Sequence, residues 1–417
     1  MRVLEVSNLF PPDVLGGYEI LAQDLVTSLR ARGHEVEVLT TGDGSEQAGV
    51  TRTLQLSRAF GEKARSDRVR HLVAAAHNRR AMLRYFAEHG HPEVALVMSL
   101  RRLGVAPLRV LQELDIPFVV TVNDDWPVAY ARPRSKGRLA PLRDVLDRRL
   151  LAFQSWNGIR TQHVIYLSGA VQEHIQSRGV PFPPGIVQSQ GVDLKIFSPR
   201  RFRIIPHRPT LLFVGRLHPS KAPDVAIHAL ASLRQKGLDA RLVIVGAADD
   251  ASYAALLRTN AATLGVSEHV EWVGMIERTR LPDLYRSCDV ALFTSRLEHE
   301  GQGLTWLEAM ACGVQVVAFP SGGAKEFLDR HPVALRVDAC TGDAFASAIL
   351  DLLTRPDDQK VMVEAALDVV RQHGELEQYV SIVQGQLEEA IRASHRAREE
   401  RGHVSRPPEP AIGRGVG

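Results

Sequence analysis

The sequence predicts an α/β protein built from two Rossmann-like, doubly wound parallel-sheet domains that face a cleft. The chain has 417 residues, whereas a single hydrophobic core stops growing at roughly 250 to 300 residues. Short apolar runs alternate with amphipathic helical stretches along the chain, which is the pattern of parallel strands covered by helices. The alternation stops at residues 198–210 and then starts again. Because that stretch is rich in Pro and Arg, we interpret it as a linker between two domains.

The first domain is predicted to span residues 1–200. Its opening apolar run, VLEV at 3–6, precedes apolar residues at helical spacing as far as Gly33, and glycine commonly ends helices. Four further apolar runs predict its other main strands: EVEVL (35–39), VALVM (94–98), FVVTV (118–122) and HVIYL (163–167).

The second domain is predicted to span residues 201–387. Five closely spaced apolar runs, each followed by a helical pattern, predict its strands: LLFVG (211–215), RLVIVG (241–246), VEWVG (270–274), DVALF (289–293) and VQVVAF (314–319). Residues 388–417 are first strongly charged and then rich in Pro and Gly. That composition predicts a disordered tail.

The composition excludes several classes of protein. No apolar run approaches the roughly 18 residues that cross a bilayer, so neither a membrane span nor a signal peptide is predicted. Three cysteines without CxxC spacing argue against a disulfide framework or a zinc site and favour the cytoplasm. The net charge of +3 is too small for a nucleic-acid-binding protein.

Two cations follow the first strand of the second domain. Arg216 lies at the end of that strand, and Lys221 lies near the start of the next helix. In open α/β sheets ligands bind at the carboxyl ends of strands, and cations beside a helix start suit a diphosphate. The alternative is a strand-end arginine and a solvated lysine.

The segment EHEGQGLTWLEAMACGVQVVAFPSGGAKE (298–326) contains two carboxylates that flank a Gly-rich turn. Glu300 lies in the turn, and Glu308 lies more than one turn into the following helix. Carboxylates accept hydrogen bonds from vicinal hydroxyl groups, so one could bind a sugar and the other a ribose. The alternative is a capping Glu300 and an exposed Glu308.

Four stretches together resemble the retaining glycosyltransferases of the GT-B fold, family 4, which include sucrose synthases and many bacterial mannosyl- and glucosyltransferases. They run in order from residue 8 to residue 326: NLFPPDVLGGYE, SQGVDLKIFSP, VGRLHPSKAPDVAIHAL and the Glu-x7-Glu segment with its following GVQVVAFPSGGAKE. The resemblance implies transfer of a sugar from a nucleoside diphosphate sugar to a hydroxyl acceptor with retention of anomeric configuration. It also implies that the first domain binds the acceptor and the second the donor.

The resemblance assigns a role to each matching residue. Arg216 and Lys221 would hold the nucleotide diphosphate, with backbone amides donated by Gly303, Leu304 and Thr305. Glu308 would bind the ribose and Glu300 the transferred sugar. Gly16 and Gly17 would line the cleft from the first domain, where the missing Cβ lets the backbone approach a ligand closely.

The chain departs from the family at Asn123. Family members commonly carry a His-Asp pair after the strand that corresponds to FVVTV, whereas this chain has Asn123 followed by Asp124. In the family, this histidine is usually assigned to contacts with the donor sugar. Asn123 can donate and accept hydrogen bonds, but it cannot titrate near neutral pH. We therefore expect an active enzyme with altered donor contacts, and a catalytically silent GT-B scaffold is the alternative.

The expected chemistry requires no metal or other cofactor. The chain contains no Asp-x-Asp triplet, so a metal-clamped diphosphate has no evident ligands. Cations and helix amides would neutralise the leaving group, and the leaving phosphate would accept the proton of the acceptor. An oxidoreductase that binds a dinucleotide is disfavoured, because no strand is followed by GxGxxG.

Residues 132–149 predict a peripheral membrane contact. They contain seven Lys and Arg against two Asp, beside apolar residues at near-helical spacing. A basic amphipathic helix can bind an anionic lipid surface. The alternative, which we favour, is a helix that packs its apolar face on its own sheet.

Overall fold

The computed structural model describes residues 1–44, 46–58, 68–131, 155–248, 250–296 and 303–404. Within this part of the chain, seven parallel strands form a first sheet in the order β3-β2-β1-β4-β5-β6-β7. Their bounds are β1 Arg2–Ser7, β2 Glu35–Thr40, β3 Val50–Arg52, β4 Val94–Ser99, β5 Phe118–Val122, β6 His163–Tyr166 and β7 Ile186–Val187.

A second parallel sheet follows the linker. Six described strands form it in the order β10-β9-β8-β11-β12-β13. Their bounds are β8 Thr210–Val214, β9 Arg241–Val245, β10 Val270–Gly274, β11 Val290–Phe293, β12 Gln315–Ala318 and β13 Leu335–Arg336. The prediction of two doubly wound α/β domains is confirmed. The three strands that the sequence did not predict, β3, β7 and β13, contain only two or three residues, too few to give an apolar run.

Helices cover both faces of each sheet. In the described residues they are α1 Gly17–Ala31, α2 Arg68–His89, α3 Ala106–Glu113, α4 Gly169–Ser177, α5 Pro223–Gln235, α6 Ala251–Thr263, α7 Leu281–Ser287, α8 Thr305–Ala311, α9 Gly322–Arg330, α10 Gly342–Leu353, α11 Pro356–His373 and α12 Leu376–Val404. Each face has its own buried apolar cluster. Strands buried on both faces read as continuous apolar runs, which is why the sequence identified them.

The prediction of disorder from residue 388 is wrong as far as residue 404. Helix α12 continues to Val404, and it packs on the first sheet rather than the second. Its buried residues recur at helical spacing: Leu376, Tyr379, Val380, Val383, Leu387 and Ala390. The charged residues that suggested disorder lie on the exposed face, where Glu389 pairs with Arg392 and Arg396. Residues 405–417 lie outside the described residues.

The chain therefore returns to the first domain after helix α11, whereas the sequence predicted that the second domain continues to residue 387. The two passages between domains lie side by side. The amide of Val192 donates to the carbonyl of Gly374 at 2.8 Å, and the amide of Leu376 donates to the carbonyl of Val192 at 3.1 Å.

Candidate active site

Several of the predicted site residues that the structure describes lie beside the switch point of each sheet. Strand order reverses between β1 and β4 in the first sheet and between β8 and β11 in the second, and ligands of open α/β sheets bind outside the strand ends at such points. Gly16 and Gly17 follow β1, whereas Arg216 follows β8 and Gly303 lies between β11 and α8. These four residues thus lie just after strands that border the switch points of the two sheets.

The loop from Gly215 to Ala222 is fixed by its neighbours. The amide of Leu217 donates to the carbonyl of Ala247 at 2.8 Å, and Arg296 donates its amide to the carbonyl of Ser220 at 2.8 Å. Ala222 has a φ of 51°, a left-handed conformation that costs energy for a residue with a Cβ. Such strain commonly occurs in functional loops, because the surrounding structure must impose it.

Lys221 and Arg216 lie close enough for their charges to interact. Burial of the Lys221 ammonium, and then the charge of Arg216, lower its pKa to about 7. The hydroxyl of Thr294 donates to the carbonyl of Lys221 at 2.8 Å and ties the backbone to the loop after β11. Two cations at close range repel each other unless an anion lies between them. An anion between the two cations would remove this repulsion, and the diphosphate role of the pair stays a prediction.

The lowered pKa predicts that diphosphate binding weakens above pH 7. Below pH 7 Lys221 is already charged, whereas above it the lysine must take up a proton when the anion binds. Affinity should fall by up to about tenfold per pH unit until the raised pKa of the complex is reached. Titrating UDP or GDP from pH 6 to 9 measures this slope. Lys221→Arg should remove the decrease of affinity with pH that Lys221 causes, since arginine stays charged throughout this range. Titration of the ligand itself affects both proteins equally and cancels in the comparison. Equal slopes would contradict the prediction.

Glu308 is buried, which excludes the alternative of an exposed helix residue. Only 5% of its surface is exposed, and its Oε2 accepts a hydrogen bond from the buried Tyr285 hydroxyl at 3.0 Å. Burial raises the pKa of Glu308, whereas the charge of Arg278 and the Tyr285 hydrogen bond lower it. A buried carboxylate held by a tyrosine and a cation is suited to accepting hydrogen bonds from hydroxyl groups.

Gly17 of the first domain packs against Leu304 of the second. A Cβ on Gly17 would lie 3.3 Å from Leu304 Cδ1, so the two predicted segments are in contact across the cleft. The buried Glu19 fixes the start of α1, because its Oε2 accepts the amide of Gly16 at 2.9 Å and that of Leu15 at 3.3 Å. This residue was not predicted from the sequence. A glutamate three positions after a helix start was the available signal.

Asn123 and Asp124 lie at the end of β5. Asn123 is only 6% exposed, and neither polar atom of its side chain has a hydrogen-bond partner among the described residues. Buried polar atoms are nearly always satisfied in a native protein, so a polar group of a ligand suits this position.

Arg101, which was not predicted from the sequence, forms ion pairs with the two aspartates that follow Asn123. Its Nη2 lies 3.2 Å from Asp124 Oδ1 and 2.6 Å from Asp125 Oδ1. Asp124 also accepts the amide of Trp126 at 2.8 Å. The sequence feature that could have identified Arg101 is its position just after β4, beside the switch point.

Glu300, with Gly301 and Gln302, lies outside the described residues, so its predicted role stays a prediction.

Family models cover most of the chain. The model described as "Glycosyltransferase Family 4" matches residues 15–196, and the one described as "Glycosyl transferases group 1" matches residues 196–369. The two matches meet at the linker between the sheets.

Curated relatives carry related names. A D-inositol 3-phosphate glycosyltransferase of Kineococcus radiotolerans is 30% identical over 351 residues, which are 74% of either chain. A GDP-mannose-dependent alpha-(1-6)-phosphatidylinositol monomannoside mannosyltransferase of Mycolicibacterium smegmatis is 34% identical over 223 residues, which are 50% of this chain and 56% of that one. The match thus spans about half the length of that mannosyltransferase.

Solved structures share the fold. Sucrose-phosphate synthase from Thermosynechococcus elongatus superposes with a TM-score of 0.70 at 20% identity, covering 94% of this chain and 99% of that one. Anabaena Alr3699/HepE in complex with UDP and glucose superposes with a TM-score of 0.69 at 19% identity, covering 93% and 100%.

Proposed function

Since the chain belongs to glycosyltransferase family 4, we propose that this glycosyltransferase moves a sugar from a nucleoside diphosphate sugar to a hydroxyl acceptor with retention of anomeric configuration. The observation that carries the proposal is the pairing of Arg216 and Lys221 in one cleft with the buried Glu308 carboxylate. A cation pair suits a diphosphate, and a carboxylate suits a ribose diol.

The cleft supports a mechanism that depends on positioning. The bond between the anomeric carbon and the leaving phosphate breaks, and the acceptor oxygen forms the new bond on the same face of the sugar. The acceptor proton passes to the leaving phosphate oxygen. Arg216 and Lys221 neutralise the charge that develops on that phosphate, with the amides of Gly303, Leu304 and Thr305 as further donors.

Asn123 takes part in this mechanism as a contact to the donor sugar. Its buried amide provides both a donor and an acceptor for sugar hydroxyls, and Asp124 is held beside it by Arg101. Glu300 is proposed to bind the transferred sugar from the other domain. The diphosphate is proposed to bind without a metal, because two cations face it and the sequence contains no Asp-x-Asp triplet.

The names of the relatives suggest which donors to test first. The mannosyltransferase of Mycolicibacterium smegmatis is named as GDP-mannose-dependent, and the Alr3699/HepE structure is a complex with UDP and glucose. The inositol phosphate and phosphatidylinositol mannoside of the relatives' names are the acceptor classes to test.

Nucleotide-sugar hydrolysis in the absence of acceptor tests the proposal. A thermal-shift screen of UDP-, GDP- and ADP-sugars selects the donor, because a ligand at 100 times its Kd stabilises by about 2.7 kcal/mol. Proton NMR then follows the released sugar before it mutarotates. We expect the first sugar released to keep the anomeric configuration of the donor. Release of the opposite anomer would contradict retention, and neither binding nor hydrolysis would favour the scaffold alternative.

A peripheral membrane contact is proposed only as an accessory property. Its predicted helix, residues 132–149, lies outside the described residues. Among the residues that are described, no helix combines the length and apolar character needed to cross a bilayer. Exposed Val69 and Val73 lie one turn apart on α2, and this short apolar strip would be the described part of such a contact. Sedimentation with anionic against neutral liposomes tests it.

A further inference from the structure

Arg278 of the second domain forms an ion pair with the first domain. It lies in a short 3-10 helix at Arg278–Arg280 that leads into α7, and its Nη1 lies 2.6 Å from Oδ2 of Asp24 on α1. About four-fifths of both side chains is shielded from solvent, with 19% of Arg278 and 21% of Asp24 exposed. Partly buried charge pairs are screened much less by water and salt than surface pairs are.

The same arginine begins a line of contacts that ends at Glu308. Its guanidinium lies over the ring of Phe197, 5.5 Å from the centroid. Phe197 belongs to the chain segment that links the domains, and its ring packs against that of Tyr285 at 6.2 Å. Tyr285 donates to Glu308 at 3.0 Å. Asp24 of the first domain thus lies at one end of this path of contacts. Glu308, the carboxylate proposed to bind the ribose, lies at the other end.

The other two side-chain nitrogens of Arg278 do not hold its side chain in place. Nε and Nη2 are buried and have no hydrogen-bond partner among the described residues. Burial raises the pKa of Glu308, and the positive charge of Arg278 opposes this by lowering it. A guanidinium that loses its ion-pair partner is costly to keep in a buried position, so the place of Arg278 depends on Asp24.

We propose that Arg278 is a positioning residue for Glu308 and that Asp24 of the first domain holds it there, so that the ribose site is complete only while the two domains are in contact. The inference rests on the proposed ribose role of Glu308. It makes donor affinity a property of both domains, although every proposed diphosphate and ribose contact lies in the second.

The test compares a nucleoside diphosphate with its 2′,3′-dideoxy form, which lacks the ribose diol. UDP, GDP or ADP serves as the probe, whichever stabilises the full chain most. We expect the wild-type protein to bind the complete nucleotide at least about tenfold more tightly. Asp24→Asn and Arg278→Gln should each weaken binding of the complete nucleotide by roughly tenfold. Each should therefore bring its affinity closer to that of the dideoxy nucleotide. The double variant should be no worse than Arg278→Gln alone, because Asp24 acts through Arg278.

Asp368→Asn is the matched control, since it removes an exposed ion pair with Arg371 on α11 and should leave both affinities unchanged. If Asp24→Asn proves too unstable to assay, Arg278→Gln tests the same contact from the second domain. If both variants preferred the complete nucleotide over the dideoxy form as strongly as the wild type does, this inference would be overturned. The proposed ribose role of Glu308 would remain intact. A wild-type protein that binds both nucleotides equally would overturn that role as well.

Discussion

Arg216→Ala is expected to weaken nucleoside diphosphate binding by about two orders of magnitude. Truncating one partner of a desolvated, hydrogen-bonded charge pair costs about 2 to 5 kcal/mol, and Arg216 is one of the two cations proposed to bind the diphosphate. Turnover should fall further than affinity, because the charge on the leaving phosphate is largest in the transition state. Calorimetric titration of UDP or GDP in excess EDTA measures the first effect, and donor hydrolysis the second.

The variant should also move the pH dependence. Removing the positive charge of Arg216 takes away one of the two causes that lower the pKa of Lys221. The pKa of Lys221 should rise, and the alkaline loss of affinity should begin at a higher pH than in the wild type. This second effect identifies the two residues as one site, because a distant arginine would not shift the curve.

Arg208→Ala is the matched control for charge. Arg208 lies in the same domain and 83% of its side chain is exposed, so its removal should change nucleotide affinity little. Loss of wild-type binding on chelation would contradict a metal-independent site. Unchanged affinity in Arg216→Ala would show instead that the arginine is a strand-end residue without a ligand.

The sequence predicted the parts of the site that depend on local pattern. Buried strands appear as apolar runs, and the residues just after them must lie at the strand ends. Local pattern was therefore enough to place Arg216, Lys221, Gly17 and Leu304 beyond strand ends beside the switch points. Asn123 could be placed there for the same reason, although its unsatisfied amide is visible only in three dimensions.

The remaining features depend on pairs that are distant in the chain. Asp24 and Arg278 are separated by 254 positions, and nothing in either local pattern marks one as the partner of the other. Whether Glu308 is exposed or buried depends on Tyr285 and on the helix packing around it. The return of α12 to the first domain was missed for a related reason. Its apolar stripe has a helical period, but the composition of residues 388–417 dominated the interpretation of that segment.

Gly191→Ala is expected to destabilise the protein by about 2 to 3 kcal/mol or more, the cost of forcing atoms into packed space. Gly191 lies where the two passages between domains touch. A Cβ at this position would lie 2.2 Å from the carbonyl carbon of Glu375 and 2.2 Å from the amide nitrogen of Leu376. Both are backbone atoms, so no side-chain rotation can relieve the contact. One passage must move away from the other.

The matched control is Gly385→Ala within α12, where a Cβ would meet nothing within 4 Å. Alanine in a helix interior should stabilise the protein by about 0.5 to 1 kcal/mol, so the two glycine-to-alanine changes should shift Tm in opposite directions. Calorimetry of both variants measures the shifts. Because Val192 and Gly374 share a hydrogen bond, separating the passages should also loosen the contact between domains. Gly191→Ala should therefore lower donor affinity as well as Tm. An unchanged Tm would show that the two passages are not held together, and that the domains are joined mainly through the cleft.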